Sequence, residues 1–165
     1  MIGEESGYGE RGAWYRAPRR GRKQKQREKR MIVRFTKEQM GFLGEWREKY
    51  NIRGHWKRNL LAILFEFGDT APLYIAKDAN AALSSSPFTF PVSLNVGYRR
   101  HRRMAGRGVG KSVIGTEAKR LLEIQERMSK TAGVVVDFSW VLRSLMQAFM
   151  LKERESIATQ EKQGE

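Results

Sequence analysis

Met31-Ile32-Val33-Arg34-Phe35-Thr36-Lys37-Glu38-Gln39-Met40 is the stretch on which the fold turns. Its second half reads as a helix start. Thr36 and Gln39 have the spacing of a capping box, in which each side chain answers a backbone N–H of the other residue. Met40, Leu43, Trp46 and Tyr50 follow at helical spacing, which predicts a helix over about 37–50. Gly41 and Gly44 weaken it by roughly 1 kcal/mol each relative to Ala, which makes sense if another backbone packs close there. The first half alternates as a strand does, with Met31, Val33 and Phe35 inward and Ile32, Arg34 and Thr36 outward.

Working outward, Asn51 and Gly54 punctuate a turn. A second helix over about 55–67 carries Trp56, Leu60, Leu61, Ile63, Leu64 and Phe67, a face broad enough for burial on more than one side, and Gly68 ends it. A third helix is predicted over about 116–130, with Ala118, Leu121, Leu122 and Met128 on one stripe and a break at Ala132-Gly133. A fourth, about 137–155, has Phe138, Val141, Leu142, Leu145 and Phe149 as its main stripe. Its further apolar residues Trp140, Met146 and Met150 imply a partner.

These are two helix-turn-helix pairs, 37–67 and 116–155, joined by a long crossover, 69–111. Within the crossover, Phe88, Phe90, Val92, Leu94 and Val96 alternate with Thr89, Pro91, Ser93 and Asn95, an extended segment with one apolar face. Pro91 bars it from a central strand. It is expected to lie on the bundle or on a neighbouring subunit, or to form a short two-stranded hairpin. The expected fold is all-α: a four-helix bundle-like core over 36–155, between a basic arm over 1–35 and a polar tail over 156–165.

The 165 residues hold 32 Lys+Arg against 18 Asp+Glu, a net charge of +14, and no Cys. Without Cys there are no disulfides, thiol nucleophiles or thiolate metal sites. His55 and His101 are too few for a histidine metal site or triad. Glu45, Glu48, Glu123 and Glu126 stand beside basic residues on helix faces and read as solvated surface. No enzyme, metal or cofactor is therefore expected. No stretch approaches the roughly 18 apolar residues of a membrane span, and Met1-Ile2-Gly3-Glu4-Glu5 lacks the apolar run of a signal peptide. A charge of this size speaks to a polyanionic partner, most often nucleic acid.

The charge has an address. Residues 1–30 carry net +6 and residues 97–112 another +6, whereas 113–165 are neutral. The first segment holds Arg11, Arg16, Arg19, Arg20, Arg22, Lys23, Lys25, Arg27, Lys29 and Arg30, with Glu28 as the one acid after Glu10. Its like charges repel, so alone it should be solvated. Opposite phosphates it becomes favourable, because counterions are released, and Arg suits bidentate phosphate contact. Trp14 and Tyr15 could stack on bases or pack on a neighbour. The second segment holds Arg99, Arg100, Arg102, Arg103, Arg107 and Lys111. Its Gly110-Lys111-Ser112 matches the end of a phosphate-binding loop, but Ala105 stands where the first glycine belongs and arginines replace the preceding apolar strand. Gly106, Gly108 and Gly110 instead suit a basic loop that follows a phosphate backbone closely. Arg53, Lys57 and Arg58 form a smaller cluster at the start of the second helix, where free backbone N–H groups also favour phosphate.

Two resemblances follow. Strand, helix, turn, helix over 31–67 resembles ribbon–helix–helix DNA-binding domains, which implies a transcriptional regulator, in the cytoplasm on DNA, that dimerises through the strand and reads the major groove. The whole arrangement of basic arm, helix pairs and crossover resembles the major capsid proteins of filamentous archaeal viruses (rudiviruses, lipothrixviruses, tristromaviruses). Glu38-Gln39-Met40 and Tyr50-Asn51-Ile52-Arg53-Gly54 carry the local similarity. This second resemblance implies a virion subunit that dimerises with itself or a related subunit and wraps linear double-stranded DNA, held in A-form, in a helical filament. Residues 11–30 would be the wrapping arm. The leading expectation is therefore a structural, sequence-independent DNA-packaging protein.

Overall fold

A computed structural model describes residues 27–75, 83–94 and 115–164. The elements run β1 (Arg27–Val33), α1 (Lys37–Lys49), α2 (Trp56–Glu66), β2 (Phe88–Leu94), α3 (Thr116–Ala132) and α4 (Phe138–Gln163). The fold is mostly helical but not all-α, because β1 and β2 pair antiparallel.

The expected helix signals hold. Gln39 N–H donates to Thr36 Oγ1 and Thr36 N–H to Gln39 Oε1, both at 3.1 Å, which closes the capping box of α1. Asn51 (φ 49°) and Gly54 (φ 76°) turn the chain into α2, and Gly133 (φ 74°) terminates α3 in the left-handed region. Asp137 caps α4 by accepting from Trp140 N–H at 2.6 Å.

Helix α4 is the hub, in contact with α1, α2, α3 and β1. Met146 and Met150, which implied a partner, are fully buried in the chain's own core, because α4 is enclosed by its own helices and β1. The Phe149 ring lies 5.4 Å from Phe42, 5.5 Å from Trp46 and 6.1 Å from Phe67. The expected polar tail is helical to Gln163: its Glu, Lys, Gln and Ala favour helix without an apolar stripe. Leu122 is exposed and Ile124 buried in its stead, since Ala118, Leu121, Ile124 and Met128 form the inward stripe.

Gly41 and Gly44 face open space, not a packed backbone. The close approach occurs at Gly68, where an added Cβ would lie 2.6 Å from Ile124 Cδ1. Arg127 of α3 ties down the same bend, donating to the Gly68 carbonyl at 2.7 Å and the Ala71 carbonyl at 2.9 Å.

The sheet corrects the basic arm. The strand is Arg27–Val33, earlier in the chain than 31–36, and Phe35, assigned to the arm, is fully buried. Segment 88–96, expected to lie on the bundle or a neighbouring subunit or to form a short hairpin, packs over Phe88–Leu94 on the chain's own helices and is no local hairpin. Over Phe88–Leu94 it is the partner of β1, in register from Arg27↔Leu94 to Val33↔Phe88, and a further bridge joins Thr36 to Leu83. Val33, Phe88, Phe90 and Val92 face the core, and Phe35 meets Phe88 at 5.4 Å and Phe90 at 6.0 Å. Ile32 and Arg34 are outward as expected, but Thr36 is buried by its cap.

Both sheet edges are engaged. The Ile32 carbonyl accepts from Ser139 Oγ at 3.3 Å and the Arg34 carbonyl from Arg143 Nη1 at 3.0 Å. Burial lowers the Arg143 pKa from its ordinary value, and Asp137 acts to raise it. Ile32 thus points its polar groups away from β2, and Arg30, in the same phase, does too. The Arg30–Pro91 pair is then a non-hydrogen-bonded one, so Pro91 costs the ladder nothing. On the other edge, Ser93 N–H donates to Glu117 Oε2 of α3 at 3.2 Å.

Candidate nucleic-acid interface

The residues that open α2 are the least suited to opening a helix. His55 occupies the N-cap without a side-chain hydrogen bond, and the first turn holds no acid. Lys57 and Arg58 sit there instead, where the helix dipole is positive and cations are unfavourable by about 0.3–1 kcal/mol each. The core fixes this helix by Leu60, Leu61 and Leu64, all fully buried, so packing overrides the poor start.

Opposite this helix start stands the outer face of the sheet. Between the two lies a groove of about 670 Å³. Glu28, Arg30, Thr89 and Pro91 line it from the sheet; Gly54, His55, Trp56, Lys57, Arg58 and Asn59 line it from the turn and α2. Arg58 forms an ion pair with Glu28, and its Nη2 lies 3.4 Å from Ser93 Oγ. Lys57 Nζ lies 4.8 Å from the Phe88 ring centroid and 5.9 Å from that of Trp56. Trp56 is itself held by Phe88 at 5.5 Å and by Arg47, whose guanidinium stacks 4.1 Å from its centroid. The wall is therefore braced by aromatic contacts while Arg30 and Arg58 remain exposed. Arg30, Lys57 and Arg58 against Glu28 leave this groove cationic.

A second cleft, about 350 Å³, runs between α1 and the outer half of α4. Glu38, Glu45 and Glu153 share it with Lys49 and Arg154, so it has no bias toward an anion. Glu45, Glu48, Glu123 and Glu126 are exposed, as expected of solvated surface. Among the described residues no cluster of His, Asp and Glu could hold a metal, and no helix is long and apolar enough to cross a membrane.

Of the expected contact residues, the fold brings Arg30, Lys57 and Arg58 to one groove. Lys29 is exposed on β1, and Arg53 is exposed in the turn before α2, outside the groove lining. Arg27 opens β1. Arg11, Arg16, Arg19, Arg20, Arg22, Lys23 and Lys25, with Trp14 and Tyr15, lie outside the described residues, as do Arg99, Arg100, Arg102, Arg103, Arg107 and Lys111. Sequence reasoning missed Glu28 and the sheet wall formed by Thr89 and Pro91. The signal for Glu28 was its isolation among ten cations; the wall required the strand pairing.

The register gives the interface its layout. Because Arg27 pairs with Leu94, the chain enters β1 and leaves β2 at the same end of the sheet. The first basic segment leads into that end and the second departs from it. The contact of Glu117 with Ser93 brings the start of α3, where the second segment's connection ends, to the same end. Compared with protein-family models, curated proteins and solved structures, the chain finds no match.

Proposed function

We propose that the chain is a structural DNA-packaging protein, a virion capsid subunit that coats linear double-stranded DNA through its phosphates without reading sequence. The observation that carries this reading is the Arg27↔Leu94 register, which roots both basic segments at one end of the sheet, beside the cationic groove. By sequence, residues 1–30 and 97–112 carry +12 of the +14, while residues 113–165 are neutral. Each phosphate neutralised by Lys or Arg releases counterions, which supplies affinity on any sequence.

Dimerisation and helical assembly, with A-form DNA, belong to the proposal through the resemblance to filamentous-virus capsid proteins. The apolar helix faces and Phe88–Leu94 are engaged within the subunit, so subunit contacts draw on other surfaces. Val134, Val135 and Ile75 are large apolar side chains left exposed.

The order β1–α1–α2 favours a second reading, a ribbon–helix–helix regulator. That reading needs β1 to pair with a second copy. Here one edge of β1 pairs with β2; on the other the Ile32 carbonyl accepts from Ser139, and just past the strand the Arg34 carbonyl accepts from Arg143.

The test is removal of residues 1–26, which stops short of β1 and takes seven cations. Affinity for duplex DNA falls by more than about 100-fold at low salt on every sequence, and the slope of log K against log salt becomes shallower by about 6. Electron microscopy of the full chain with linear DNA shows regular filaments. A salt-independent affinity sinks the proposal, and a base preference that survives the truncation favours the regulator.

A further inference from the structure

The groove holds an anion of its own, the carboxylate of Glu28, and this residue has no role in a simple cationic surface. Glu28 is the one acid between Arg11 and Arg30. It lies on the outward face of β1, opposite Ser93 in the register, and pairs with Arg58 Nη2, the same nitrogen that approaches Ser93 Oγ. A carboxylate thus occupies the place that a phosphate oxygen would take between α2 and the sheet.

We infer that the groove seats one phosphodiester strand of the duplex and that Glu28 is its built-in competitor, so that the groove accepts a polyanion and turns away single phosphates. This rests on the DNA-packaging reading above. Glu28 and Arg58 are about half-exposed, at 48% and 43%, so their pair is weak and water-accessible. A single phosphate that displaces Glu28 exchanges one anion for another at Arg58 and gains little. A chain of phosphates also reaches Arg30 on the sheet wall and Lys57 on the helix wall, neither of which has an acidic partner among the described residues. The displaced carboxylate then takes up a cation from solution, which offsets one counterion released from the DNA.

The test is a salt titration of full-length protein on a short DNA duplex by fluorescence anisotropy. Glu28→Gln tightens binding about two- to fivefold at low salt and steepens the log K–log salt slope by about one. Inorganic phosphate competes better against this variant than against the wild type. In an Arg58→Gln background, Glu28→Gln no longer steepens the slope. Glu38→Gln makes the same charge change at an ion pair with Arg154 in the other cleft, and leaves the slope unchanged. The inference is overturned if Glu28→Gln acts equally in both backgrounds, if it leaves the slope unchanged, or if Glu38→Gln matches it. A wild type that binds no duplex overturns the packaging reading itself. Wild-type binding with no Glu28 effect overturns only the role of Glu28.

Discussion

Helices α1 and α2 begin in opposite ways. At Thr36 the hydroxyl and the Gln39 amide answer each other's backbone donors, Glu38 sits in the first turn, and Gln39 Nε2 reaches across to the Arg143 carbonyl of α4 at 3.0 Å. At His55 no side chain answers, and the first turn carries Lys57 and Arg58 without an acid. The first start obeys the local rules of helix formation, and its capping pair is buried. The second breaks them and lines the groove, and such violations mark functional sites more often than errors. The comparison separates positions that hold the fold from positions that the proposal assigns to a ligand.

The largest effect that can break this distinction is at Gln39. Gln39→Ala removes the return bond to Thr36 N–H and leaves the Arg143 carbonyl without its buried donor. A loss of about 2–3 kcal/mol is expected, measured by urea denaturation, with an unchanged salt slope for DNA binding. Next comes the double change Lys57→Gln with Arg58→Gln. DNA affinity falls about tenfold near 0.1 M salt, and the slope becomes shallower by about 1, because the cation that Glu28 takes up when displaced cancels the contribution of Arg58. Stability holds or rises, because two cations leave a positive helix end. A large loss of stability here would make the cluster structural. The smallest effect sharpens the contrast: His55→Ser supplies the missing cap and stabilises the chain by about 0.5–1 kcal/mol in thermal unfolding, without tightening DNA binding.

How much of this was legible in the sequence follows the same division. The capping box, the turn at Asn51 and Gly54, and the break at Gly133 are local and were read correctly. The pairing of β1 with β2 was not, because two helices intervene and the alternation of β1 is obscured by the cations at 27–30. Apolar side chains at Met146 and Met150 were legible as apolar, but periodicity cannot tell an interface from the centre of the fold. At the groove, Lys57 and Arg58 were visible as a basic cluster. Their opposition to Arg30 and Glu28 depends on the tertiary pairing, so no window of sequence contains it.

The shared root of the two basic segments has a mechanical consequence. The first joins β1 at Arg27 and the second leaves β2 at Leu94, which are partners at one end of an antiparallel pair. Forces that draw the two segments apart load the ladder at that end alone, and it peels one residue pair at a time, starting from Arg27 and Leu94. Forces that draw both segments the same way leave the ladder unloaded and pass to the core through Val33 and Phe35, which are fully buried. The sheet therefore resists a joint pull and yields to a divergent one.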